Sequence, residues 1–139
     1  MYTSPKSRAA SAYKRMHVET GFNPEDKHQI VSLLLDGALQ TLTEARGAIQ
    51  RGDVLAKVHA IGKAVRIIEE GLKTGLDKEE GGELAQNLEG LYGYCTMRLA
   101  LANARSDEAI VEEVAQLIGE IASAWKGMRQ APATHAPGA

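Results

Sequence analysis

Residues 81–102 read GGELAQNLEGLYGYCTMRLALA. The paired glycines mark a turn, and the run after them reads as a helix. Written as heptads, Leu84, Leu88, Leu91, Cys95 and Ala102 fall on two seam columns, with Arg98 as the polar member. Ala85, Tyr92 and Leu99 form one flanking column, and Tyr94 and Leu101 lie in the other. Most remaining positions are polar or small. The apolar face is therefore four columns wide, where a coiled-coil seam needs two and a core-facing helix about three. The seam pair Leu84, Leu88, Leu91 and Cys95 is expected to hold a core. The flanks Tyr92, Tyr94 and Leu99 are expected to meet something more.

Working outward, the same period recurs on both sides. Asn23-Pro24-Glu25-Asp26 opens a first long helix, with Asp26 as a second candidate cap, and Gly52 ends it after Arg51. Val31, Leu35, Ala38, Leu42, Ala45 and Ile49 form its seam. Its first half is apolar in nearly every direction, so three bundle neighbours would leave Ile30 and Leu33 uncovered. Asp53 caps a second helix to about Thr74, in which Val54, Val58, Ile61, Val65, Ile68 and Leu72 alternate steps of four and three, and Ile67 points outward. Ser106-Asp107-Glu108 caps a last helix with Ile110, Val114, Leu117, Ile121, Ala124 and Met128 on its seam and Trp125 beside it. The fold class is all-α: an antiparallel four-helix bundle over residues 23–129. Residues 1–22 are expected to be a flexible segment with a short docking helix near Ala9–Val18, and 130–139, APATHAPGA preceded by Gln130, a disordered tail.

Composition removes several classes of function. A formal charge of −2 leaves no basic field for nucleic acid. One cysteine cannot form an internal disulfide framework and suits a reducing compartment. No apolar run follows the basic residues near the N-terminus as in a secretion signal, and none is long enough to span a membrane. Carboxylate metal sites in bundles use two Glu-x-x-His motifs; this chain has one, Glu25 to His28. There is no haem-attachment or phosphate-loop motif. Asp36 lies among leucines, but its heptad position turns it outward, towards solvent or a neighbouring helix. No catalytic constellation argues for an enzyme, and neither a metal nor another cofactor is expected.

What remains is surface. Eight glycines lie inside the expected helices, which forgoes about 8 kcal/mol of helix propensity relative to alanine. They signify either tight packing or room left for a partner. The surplus apolar positions are consistent with a groove for an amphipathic helix, with permanent cover by the N-terminal segment, or with a dimer interface. The corresponding functions are a chaperone for a helical client, a client-free self-associating bundle, or, on the weaker motif, a metal-binding bundle.

The residues also resemble a known family, the flagellin export chaperones (FliS). Its pattern of Gly-Gly-Glu, an apolar residue, Ala, Asn-Leu, and Leu-Tyr-x-Tyr followed by Arg-Leu is met by Gly81, Gly82, Glu83, Leu84, Ala85, Asn87, Leu88, Leu91, Tyr92, Tyr94, Arg98 and Leu99. Further matches run in order from Met1-Tyr2 through Ala12-Tyr13, Val18-Glu19-Thr20, His28, Leu33-Leu34, Asp36-Gly37-Ala38, Gly52-Asp53, Leu76-Asp77 and Ala102-Asn103 to Trp125. Departures include Lys27, where the family has proline, and Leu35, Gly93 and Cys95 near the partner surface. The resemblance implies a cytosolic chaperone without ATPase activity. It would bind the C-terminal helical segment of flagellin, prevent premature polymerisation and hand its client to the gate of the flagellar type III export apparatus. A regulator sharing the site, a monomer or weak dimer when free, and no membrane insertion are also implied. Tyr13, Ile30, Leu33, Leu34, Ile67, Leu88, Tyr92, Tyr94 and Leu99 are the expected partner-binding residues.

Overall fold

Aspartates set the helix starts. A computed structural model describes residues 26–135, with side-chain environments through Met128. Within that range, α1 spans Lys27–Arg51, α2 spans Val54–Arg66 and continues as a π-helical stretch over Ile67–Lys73, α3 spans Lys78–Arg105, and α4 spans Glu108–His135. Asp26 accepts from the Gln29 amide, Asp53 from Ala56, and Asp77 from Glu79 and Glu80. Asp107 accepts from Ala109 and Ile110 at the head of α4. Each such cap satisfies amides that a helix leaves unpaired and contributes about 1 kcal/mol. Gly52 ends α1 in the left-handed region at φ 73°, its amide bonded back to Ala48 and Ile49.

The three tight links make consecutive helices antiparallel neighbours, and the bundle closes by packing α1 against α4. α1 thus lies between α2 and α4, and α3 sits between the same two on the opposite side. No strand occurs among the described residues, which agrees with the expected all-α antiparallel bundle. The core is built from Leu35, Leu42, Ile61, Ile68, Leu99, Val111, Val114 and Ile118, each almost wholly sealed from solvent, with small residues such as Ala38, Ala45 and Ala64 between them. Small side chains at these crossings let the helices approach closely.

Several boundaries and faces differ from expectation. α3 begins at Lys78, ahead of the paired glycines, because Asp77 caps it. The glycines still punctuate the chain: Gly82 leaves helical geometry at φ 54° and ψ −128°, and the helix axis breaks there. In a straight helix residues 78 and 89 would be about 16 Å apart along the axis. The break folds the first turn back, and Lys78 Nζ reaches Glu89 Oε2 at 2.7 Å. α4 extends to His135, past the expected boundary at 129. Residues 136–139, the end of the expected tail, and 1–25, including the expected docking helix and Tyr13, lie outside the described residues.

The buried stripe of α3 is Ala85, Tyr92, Cys95, Leu99 and Ala102. The core therefore centres on the Tyr92 and Leu99 column, one step round from the assigned seam. Leu84 is 51% exposed and Leu91 38%, so neither holds the core as expected. With four adjacent apolar columns, periodicity does not determine which one faces inward, and the bulk of Tyr92 lies on the column that wins. Ile67 was expected outward but is half-buried against Gly37 of α1. Asp36 is exposed and receives Lys126 of α4 at 2.8 Å, a helix-pairing role.

Candidate functional site

The α3 break lies at the end of the bundle where α1 begins and the π-helical stretch ends. There the helices do not close over one another. A cavity of about 510 Å³ opens between them, within the range of ligand-binding clefts. Ile30, Val31 and Leu34 of α1 form one wall. The other wall is α3, through Leu84, Ala85, Leu88 and Tyr92. Gly71 and Leu72 of the π-helical stretch and Leu76 of the link close the third side, and Trp125 of α4 stands at the fourth. Lys27, Glu70, Asp77 and Glu80 rim it. The surface offered is apolar within and mixed in charge around the edge.

Each wall has a local cause. The π-helical stretch bonds five residues back, as in Thr74 N to Glu69 O at 3.3 Å, so its turn is wider than an α-helical one and opens space beside α1. Glu69 is held by Thr96 of α3 at 3.0 Å and by Lys73 at 3.5 Å, which fastens this stretch to the bundle. Trp125 is locked by a reciprocal pair with His28. The Trp125 indole N–H donates to the His28 carbonyl at 3.1 Å, His28 Nε2 meets the Trp125 carbonyl at 2.7 Å, and the rings stack 4.9 Å apart. The pair ties the start of α1 to the C-terminal half of α4 at the mouth of the groove.

The groove gathers Ile30, Leu34, Leu88 and Tyr92 from the residues expected to bind a partner. Tyr92 lies at its floor, 2% exposed, and burial pushes its phenol up to about 12. Leu33 is half-buried on α1 and Ile67 is engaged with Gly37; neither lines the groove. Leu99 is sealed in the core farther along α3. Tyr94 donates through its hydroxyl to the Glu113 carboxylate of α4, which also accepts from Arg98 at 2.9 Å. These bonds to Tyr94 and Arg98 hold the Glu113 carboxyl below its ordinary range, and the Glu113 carboxylate raises Tyr94. That triad clasps α3 to α4 outside the groove. Gly71, Leu76 and Trp125 line the groove but were not among the residues expected to bind a partner. Trp125 carried a signal as the sole tryptophan, but nothing in its heptad position marked the groove.

The architecture is a helical bundle with an open apolar groove between helix ends, and no group of three His, Cys, Asp or Glu side chains fit to hold a metal ion occurs among the described residues. The sequence compares closely with known proteins. A family model for the flagellar protein FliS matches residues 9–132. The flagellar secretion chaperone FliS of Salmonella typhimurium is 45% identical over 126 residues, covering 91% of each chain. The flagellar secretion chaperone FliSB of Pseudomonas aeruginosa is 40% identical over 121 residues, 87% of this chain and 95% of its own. The Bacillus subtilis FliS chaperone is 29% identical over 116 residues. The chain belongs to the FliS family of flagellar secretion chaperones, which are not enzymes.

Proposed function

We propose that the groove receives the C-terminal helical segment of flagellin, and that the protein holds this client in the cytosol, unpolymerised, until it passes to the gate of the flagellar export apparatus. The observation that carries the reading is the apolar cleft itself, formed where α1, the π-helical stretch and α3 fail to close. A client of this kind is an amphipathic helix presenting apolar anchors at helical spacing. Ordering a previously unstructured segment costs several kcal/mol, which burial of the anchors on Ile30, Leu34, Leu84 and Leu88 must exceed. Family membership supports a secreted flagellar client, and the resemblance implies that this client is flagellin. No described helix is long and apolar enough to cross a membrane, which is compatible with work away from the bilayer. The decisive measurement is a pull-down with intact flagellin and with flagellin lacking its C-terminal helices. Retention of the intact protein alone is expected, and equal capture of both would sink the proposal.

A further inference from the structure

The position in the groove that sequence alone explains least is Gly71. It sits inside a helical segment, where glycine is disfavoured, and it lines the groove beside Leu34. A Cβ built on Gly71 would lie 3.0 Å from Leu34 Cδ2 and 3.1 Å from Cδ1. Such contacts are tighter than apolar side chains normally make, so a methyl there would shift Leu34 by a few tenths of an ångström. Among the described glycines, Gly71 is the one whose added Cβ would crowd an apolar side chain of another helix. The comparable contact at Gly37 is an ordinary 3.7 Å, and Gly90, Gly93, Gly119 and Gly127 face open space.

We infer that Gly71 is a specificity-determining residue of the groove: its bare backbone recesses the Leu34 isobutyl group, and the space so freed admits a bulky apolar anchor of the helical client. The direction of displacement follows from the packing. Leu34 is flanked by the core on its α1 side, where Leu35 and Ala38 are sealed, and the neighbouring free volume is the groove. A side chain at position 71 therefore drives Leu34 into the space the client would occupy. The wide π-helical turn brings this backbone to the groove wall, so the glycine and the turn act together. The inference rests on the proposed flagellin-binding role and adds what the groove selects for, namely an anchor of leucine or phenylalanine bulk over the Gly71–Leu34 recess.

The test is a titration of the full chain with a peptide spanning the flagellin C-terminal helices, read by Trp125 fluorescence, alongside thermal melts of each variant. Wild type is expected to bind, and Gly71→Ala to bind at least tenfold more weakly with a melting temperature not lowered in proportion. In a Leu34→Ala background, Gly71→Ala is expected to change affinity by less than threefold, since no isobutyl group remains to displace. Leu34→Phe, which fills the recess without altering position 71, is expected to weaken binding at least tenfold and keeps the test available should Gly71→Ala fail to fold. Undiminished affinity in Gly71→Ala or in Leu34→Phe, or an equal loss from Gly71→Ala in both backgrounds, overturns the inference while leaving the flagellin reading intact. No binding by wild type overturns that reading itself.

Discussion

Cys95 is sealed on the inward face of α3, and burial pushes its thiol up to about 11 from an ordinary 9.0. At pH 8 the reactive thiolate is then scarce, and the sealed position also keeps reagents away. Iodoacetamide at pH 8 is expected to leave the folded protein unlabelled over the time that a denatured sample labels fully, as read by mass; prompt native labelling would contradict the placement. Linkage fixes the sign of the pH response. Cys95 and Tyr92 are both raised by burial, so their contribution to stability is present below the unfolded values of 9.0 and 10.0 and is lost as pH climbs towards about 11 and 12. Glu113 is depressed by its bonds to Tyr94 and Arg98, so its contribution is present above 4.5 and is lost as pH falls through the lowered folded value. Glu113→Gln is expected to flatten the acid limb of the stability profile and, because the carboxylate also raises Tyr94, to soften the alkaline limb, as measured by denaturant melts across pH.

At the scale of elements, the glycine pair and the His28–Trp125 clasp govern how the open end of the bundle is held. Gly82 occupies a backbone region that residues with a Cβ enter only under strain of about 1–3 kcal/mol. Gly82→Ala is expected to lower the melting temperature by several degrees and to loosen the Lys78–Glu89 contact, visible as faster amide exchange over the first turn of α3. His28→Ala removes one hydrogen bond and a stacked ring, the Trp125 indole keeping the backbone carbonyl of residue 28, for an expected loss of about 1–2 kcal/mol. Emission of the sole tryptophan is expected to shift red in that variant; an unchanged spectrum and stability would show that the clasp holds nothing. These elements also mark how far sequence reading reaches. Caps at Asp53 and Asp107, the stop at Gly52 and the four-helix order follow from local chemistry, which a chain states residue by residue. The inward column of α3 does not, because Leu84, Leu88 and Leu91 satisfy the heptad as well as Tyr92 and Leu99 do, and packing against α4 and the π-helical stretch decides between them. The π-helical geometry and the Gly71 recess depend on contacts between α1 and α2, which no single-segment pattern encodes. Ile30, Leu34, Leu88 and Tyr92 were legible as surplus apolar surface, but that a common groove joins them, with Trp125 at its edge, was not.

At the scale of the whole molecule, exposed leucines are not equivalent. Leu84 is 51% exposed and lines the groove; Leu55 is 84% exposed on α2 and lies away from it. Both sit on helix surfaces where a polar replacement costs little folding energy, so the same substitution at the two sites separates an effect on binding from an effect on solubility or stability. Leu84→Asp places a carboxylate against the apolar face of an incoming helix, beside a rim that already carries Asp77 and Glu80, and burying it unpaired is costly. Its affinity for the flagellin segment is expected to fall at least tenfold, about 1.4 kcal/mol or more, while Leu55→Asp binds as wild type does. Calorimetry of the wild-type complex is expected to give a negative heat-capacity change, the mark of apolar burial coupled to ordering of the client. It is also expected to give an affinity that changes only modestly between low and moderate salt, because the rim sets Lys27 against Glu70, Asp77 and Glu80, a small net negative charge. Equal losses at Leu84 and Leu55, or a steep salt dependence with no heat-capacity change, would move the binding surface off the groove and onto the charged exterior of the bundle.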